Sequence, residues 1–138
     1  MRSADGGRTA RNAGSRAAGD LDSFTRGVVI EHRLAARDYA NWGHMGVQHG
    51  GHFPLIDFAQ GTAVVSVKTV DRRNMSAAIP ELQDHIEHLA NRGITIGGVP
   101  ATSRALDIRV RAGKGAELAS LQEFGDALGV RVTINTWP

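Results

Sequence analysis

The chain has 138 residues, which suits one domain with a single core and is too short for two. Its 41% apolar content fits a folded α/β or α+β protein, and no run of 18 apolar residues offers a membrane-spanning helix. There is no cysteine, which excludes disulfides, thiolate zinc sites and a cysteine nucleophile, and the net charge of +2 rests on fourteen arginines against two lysines.

Four arginines and three aspartates precede residue 23, so the remainder carries twelve basic and eleven acidic residues. That near-neutral body argues against a broad nucleic-acid footprint and leaves room for a local basic patch. Residues 1–22 read as a flexible lead-in: the first twenty are rich in Gly, Ala, Arg and Ser, with no large apolar residue after Met1. No apolar signal core follows Met1, so no secretion signal is expected there. Residues 23–138 then form the folded domain.

A helix is expected from Asp22 or Ser23, either of which can cap it, to about Ala40. Phe24, Val28, Leu34 and Ala35 mark its buried stripe. Glu31 lies on or beside that stripe, where an acid is costly unless paired or metal-bound. The following loop, NWGHMGVQHGGH, holds His44, His49 and His52. These could converge on zinc, serve as acid and base in a metal-independent ribonuclease, or contact substrate.

The stretch from His52 to Asp71 reads as two strands joined at Gln60-Gly61. Phe53, Leu55 and Asp57 share one face of the first strand. On the second, Val64, Ser66, Lys68 and Val70 share one face, and Val65, Val67 and Thr69 the other. Both faces are largely apolar, as in a strand covered on two sides. An acid and one of only two lysines stand out in such a neighbourhood. Ser66 and Lys68, two apart, point at one spot that Asp57 can reach. Oxygen ligands that hold a divalent cation, with a lysine beside them, suit phosphodiester cleavage, although an ordinary cross-strand ion pair has the same spacing.

A second helix is expected from Ser76 to Arg92, with Pro80 in its first turn and Leu82, Ile86 and Leu89 as its stripe. His85 and His88 lie on it one turn apart, as a possible metal pair or an exposed one. A short strand is expected near 94–96. Residues 105–113 alternate Leu106, Ile108 and Val110 against Asp107, Arg109 and Arg111, a strand whose polar face is either solvated or tracks phosphates. An amphipathic helix with Leu118, Leu121, Phe124 and Leu128 and a final strand close the chain.

The helix acid, Asp57 and the strand bearing Val67-Lys68 resemble the PD-(D/E)xK nuclease superfamily, and Arg26 to Glu31 resembles the RGxxxE helix of several of its branches. LIDF…VVSVKTVD, with Ser66-Val67-Lys68-Thr69, more specifically resembles C-terminal toxin domains of contact-dependent growth inhibition exoproteins. The resemblance covers about residues 24–135. It implies an α/β restriction-endonuclease-like core, a central mixed sheet flanked by helices. It also implies a toxin secreted as the C-terminal part of a larger exoprotein, which cleaves tRNA in the cytoplasm of neighbouring bacteria and is blocked by a cognate immunity protein. Glu31 and Asp57 would be metal ligands, for Mg²⁺ first and Zn²⁺ or Mn²⁺ as alternatives. Lys68 would be the catalytic lysine. Ser66 stands where the superfamily usually has a second acid. Around them, Arg26, His52, Gln60 and Thr69 are expected to contact substrate. The alternatives are a DNA endonuclease of the same fold and a non-catalytic nucleic-acid-binding or interaction module, which the missing acid at Ser66 would suit.

Overall fold

The computed structural model describes residues 22–45 and 56–137, without the side chains of Ser23 and Phe24. His49, His52, Phe53 and Leu55 therefore lie outside the described residues.

Helix α1 spans Ser23–Ala36, and Asp22 caps it by accepting the Thr25 N–H at 2.8 Å. It ends four residues earlier than its sequence suggests, because residues 37–40 turn to bring Tyr39 under the sheet. The buried stripe also differs: Ile30 and Leu34 are fully buried, whereas Val28 is 40% exposed. Two short strands follow, β1 (Gly43–His44) and β2 (Phe58–Gln60), then β3 (Ala63–Thr69). A 3-10 turn at Met75–Ala78 leads into α2 (Ile79–Asn91), with Pro80 in its first turn. A small hairpin, β4 (Thr95–Ile96) and β5 (Val99–Pro100), precedes β6 (Ser103–Val110). Helix α3 (Ser120–Leu128) and strand β7 (Val130–Thr136) complete the order.

The main sheet has the order β1-β2-β3-β6-β7, antiparallel at β1-β2-β3 and parallel at β3-β6-β7. The crossovers between parallel strands carry α2 and α3, as parallel pairing requires a connection of a dozen or more residues. Both helices pack on one face. There Leu82, Ile86, Leu89, Leu118 and Leu121 meet Val64, Leu106, Ile108, Val110, Val130 and Val132 in the larger core. Leu128, expected in the apolar stripe of α3, is instead 40% exposed at the helix end. Gly125 lets α3 approach β7 closely, since a Cβ there would stand 2.4 Å from Val132 Cγ2 and 2.6 Å from the Val130 carbonyl oxygen.

Helix α1 covers the other face, where Ile30 and Leu34 pack on Phe58 and Val65 in a smaller core with Tyr39, Trp42 and Trp137 around it. The alternation along β3 thus serves two cores, Val64 facing one and Val65 the other. The mixed sheet with helices on both faces is the α/β architecture expected from the sequence.

Two sequence expectations need correction. The polar face of β6 is neither solvated nor free to track phosphates. Asp107 and Arg109 are 2% and 7% exposed, and the Arg109 guanidinium donates to both Asp107 oxygens, to Asp38 and to the Thr136 carbonyl. Arg111 is committed as well, donating to both oxygens of Asp71 at 2.9 Å and stacking on Trp137.

Candidate active site

The regular pairing of β2 with β3 stops at Phe58↔Val65. There the Asp57 N–H bonds the Val65 carbonyl at 2.9 Å, out of step with that register. The Val67 N–H, which a longer β2 would engage through its backbone, donates instead to Asp57 Oδ2 at 2.7 Å. The Asp57 carbonyl accepts from Met45 N–H at 2.8 Å, which ties the β1 edge to the same residue. Asp57 is thereby fixed by main-chain bonds at the point where two strands part, with its carboxylate replacing a rung of the ladder.

The carboxylate is held in unfavourable surroundings. Burial pushes the Asp57 pKa up from 3.8 to about 7, and the neighbouring Glu31 carboxylate, within hydrogen-bonding reach, adds to the rise. The Val67 N–H and the Lys68 ammonium oppose it without overcoming it. Glu31 comes from α1, whose Gly27 packs toward Thr69 of β3, and its carboxylate also bonds His44 Nε2. His44 is held in turn by stacking on Phe58 and edge-on contact with His32.

Lys68 is exposed on β3, on the strand face that carries Ser66. Ser66 is buried, and its Oγ lies 2.9 Å from Nε2 of His85 on α2. Burial first, and then the charge of Lys68, lower the His85 pKa from 6.5 to about 4, so this imidazole is neutral at pH 7. The sequence presents His85 as half of a pair with His88, metal-binding or exposed, and not as a partner of Ser66. Its position three residues after Leu82 and one before Ile86 places it beside the buried stripe, and that was the available signal.

The structure thus brings together Glu31, Asp57 and Lys68, with His44 on Glu31, and places Ser66 and His85 as a separate pair on the other face of β3, beside Lys68. The expected substrate-contacting residues scatter. Arg26 is 8% exposed, 3.8 Å from Asp71 and stacked on Trp137, with its Nε unpartnered. It lines a cavity of about 290 Å³ beside Lys68 and Thr69. Gln60 does not join the cluster. It sits at the opposite end of β2, its amide donating to the Asn41 carbonyl at 3.4 Å. A larger cavity, about 660 Å³, lies at that end, lined by Tyr39, Trp42, Gln60 and Arg131 among others. His52 lies outside the described residues.

Among the described residues, no three His, Cys, Asp or Glu side chains converge as a ready metal cage. The closest oxygen donors are the two carboxylates, of Glu31 and Asp57. Partly buried carboxylates pressed together this way, next to a lysine, are an arrangement in which a cation would relieve the repulsion.

The fold and site define a mixed α/β protein with a carboxylate pair and a lysine at a split in its sheet. No family model matches the chain, and no curated protein matches it. In fold it is similar to a chain of the CdiA-CT/CdiI toxin and immunity complex from Yersinia pseudotuberculosis, with a TM-score of 0.50 and 22% identity, covering 62% of this chain and 83% of that one.

Proposed function

We propose that this chain is a metal-dependent nuclease that acts as a toxin. The observation that carries this reading is the convergence of Glu31, Asp57 and Lys68 where β2 parts from β3. Glu31 and Asp57 are the residues that would hold the cation. A pair of carboxylates suits Mg²⁺, which keeps several of its waters, better than a closed four-ligand zinc site; Mn²⁺ and Zn²⁺ are the alternatives. Such a cation, when bound, offsets charge on the phosphate and lowers the pKa of a coordinated water. Asp57 is positioned for its part by the Val67 N–H, and Glu31 by His44. The Lys68 ammonium orients the attacking water or stabilises negative charge developing on the phosphate.

The toxin part of the reading is supported by the motif resemblance and by the fold likeness to a chain of a toxin and immunity complex. On the same support we propose a cognate immunity protein that covers the site. Secretion as the C-terminal part of a larger exoprotein and action in the cytoplasm of a neighbouring cell belong to the same proposal. Among substrates, the resemblance favours tRNA, with DNA as the alternative for the same site.

The test is to incubate the purified chain with total tRNA and with plasmid DNA, with Mg²⁺, Mn²⁺ or Zn²⁺ and with EDTA, alongside Asp57→Ala and Lys68→Ala. Cleavage of tRNA that needs metal and is lost in both variants is expected. Cleavage of DNA with tRNA left intact would change the substrate and keep the site. Activity that survives EDTA, or full activity in Lys68→Ala, would overturn the assignment.

A further inference from the structure

The face of β3 opposite Glu31 holds a pair that the proposed reaction does not yet use. Ser66 is 2% exposed, so its hydroxyl has no access to bulk water. A buried O–H needs an acceptor, and leaving it without one costs about 1–3 kcal/mol. The partner within reach is His85 Nε2, at 2.9 Å. An acid at this position would carry a negative charge two residues from Lys68 on the same strand face. Ser66 carries none. What it can offer the site depends on which way its hydrogen points.

We infer that His85 is a positioning residue: its Nε2 accepts the Ser66 hydroxyl hydrogen, which leaves the Ser66 lone pairs free for Lys68 on the same strand face. The inference rests on the nuclease reading for its catalytic consequence and on the Ser66–His85 contact for its geometry. Electrostatics select this polarity. Lys68, on the same strand face, is positive, so it is attracted to the oxygen and repelled by a hydroxyl hydrogen. With the hydrogen sent to Nε2, the imidazole proton sits on Nδ1. The charged groups that act on His85 are Lys68 from β3 and, on its own helix, Asp84 and His88. Protonating His85 would reverse the bond, because both ring nitrogens would then be donors. Ser66 would have to turn its hydrogen toward Lys68. The pair thus gives the site an oriented neutral acceptor where an acid would give a charged one.

Two measurements test this. The first reads the imidazole nitrogens of the full chain by NMR at pH 7 without metal. An unprotonated Nε2 with the proton on Nδ1, and an Nε2 signal that moves in Ser66→Ala, is expected. A proton on Nε2, or a signal indifferent to Ser66→Ala, overturns the inference. The second measures metal-loaded cleavage. His85→Ala should lower kcat by roughly tenfold with KM little changed, in the range of residues that orient a functional group from behind. His85→Gln, which offers a carbonyl oxygen as acceptor, should recover most of that loss, and it stands in if His85→Ala does not fold. In a Ser66→Ala background, His85→Gln and His85→Ala should have no further effect. Independent, additive losses would overturn the inference. If the parent cleaves neither tRNA nor DNA, the nuclease reading fails, and the imidazole spectrum still decides the polarity of the pair.

Discussion

Val67 lies between two aspartates. Its N–H bonds the Asp57 carboxylate, and its partner across the parallel pairing with β6 is Asp107. Asp107 is 2% exposed and saturated: Arg109 Nε and Asn135 donate to Oδ1, and the Tyr39 hydroxyl and a second Arg109 nitrogen donate to Oδ2. Burial and this aspartate push the Tyr39 phenol pKa up, which keeps it a donor. Asp57 is partly buried beside another carboxylate and, among the described residues, has no guanidinium on it, so its pKa rises to about 7. One sheet therefore holds an acid whose charge is fully compensated and, a strand away, an acid whose charge is resisted. Buried charges are ordinarily paired, so the under-compensated one is the place where the proposed cation would supply the missing partner.

Asp107→Ala gives the largest effect and tests the compensated half. It strands the Arg109 guanidinium in the interior with only Asp38 and a carbonyl, and removing one partner of a buried pair costs about 3–5 kcal/mol. Urea unfolding should show this loss. A change below about 1 kcal/mol would mean that the network is loosely hydrated and that the two aspartates differ less than their contacts indicate.

Lys68→Ala bears on the other half. Lys68 is exposed and contributes little packing, so the variant should fold normally. Its cleavage rate should nevertheless fall by about 100-fold, which corresponds to about 2.7 kcal/mol of transition-state stabilisation. If instead stability dropped and activity held, the resisted acid would be a structural feature and Lys68 its counter-ion.

The third prediction concerns pH. Folded Asp57 holds its proton up to about pH 7, whereas the unfolded chain releases it near 3.8. Between those values the folded state binds more protons, so stability from this group is complete below pH 4 and is lost as the pH rises to 7. His85 acts with the opposite sign, because its folded pKa of about 4 lies below its ordinary 6.5 and its contribution is lost as the pH falls between them. The two slopes oppose each other in the metal-free protein. Comparing it with Asp57→Asn isolates Asp57, since His85 is present in both. The variant should gain on the parent by up to about 1.4 kcal/mol per pH unit across that window. A difference that does not change with pH would show that Asp57 is compensated after all.

The contrast was only half legible in the sequence. Glu31, Asp57 and Lys68 stood out because each interrupts an apolar run, and a charged residue among valines demands a reason that a spacing argument can supply. Asp107 and Arg109 also interrupt a strand, but there they alternate with Leu106, Ile108 and Val110. Alternation describes a solvated face and a buried ion-pair layer equally well. What decides between them is Tyr39 and Asp38, about seventy residues away in the chain, at 2.6 and 2.8 Å. His85 was hidden for a similar reason. A histidine at the border of a helix stripe gains a role only once α2 is known to pack over Ser66. The resemblance puts Arg26 among the substrate contacts, whereas its indole and carboxylate partners, Trp137 and Asp71, come from the other end of the fold and from the end of β3. The fold itself was more accessible, because its helices and long strands carry strong periodicity, while β1 and β2 are too short to show any.

Gln60 gives the smallest expected effect and sets the boundary of the functional half. From sequence it belongs with the substrate contacts. In the structure it pairs with Ala63 at the turn, three residues along the chain from Asp57, which is about 10 Å in an extended strand. It is exposed, and its amide makes one long bond to a carbonyl. Gln60→Ala should therefore change kcat/KM by less than about threefold and stability by less than about 0.5 kcal/mol. A tenfold loss in kcat/KM with stability intact would mean that the nucleic acid runs the length of β2. It would then reach the cavity bordered by Tyr39, Trp42 and Arg131, and the compensated aspartate at that cavity's wall would belong to the substrate path as well.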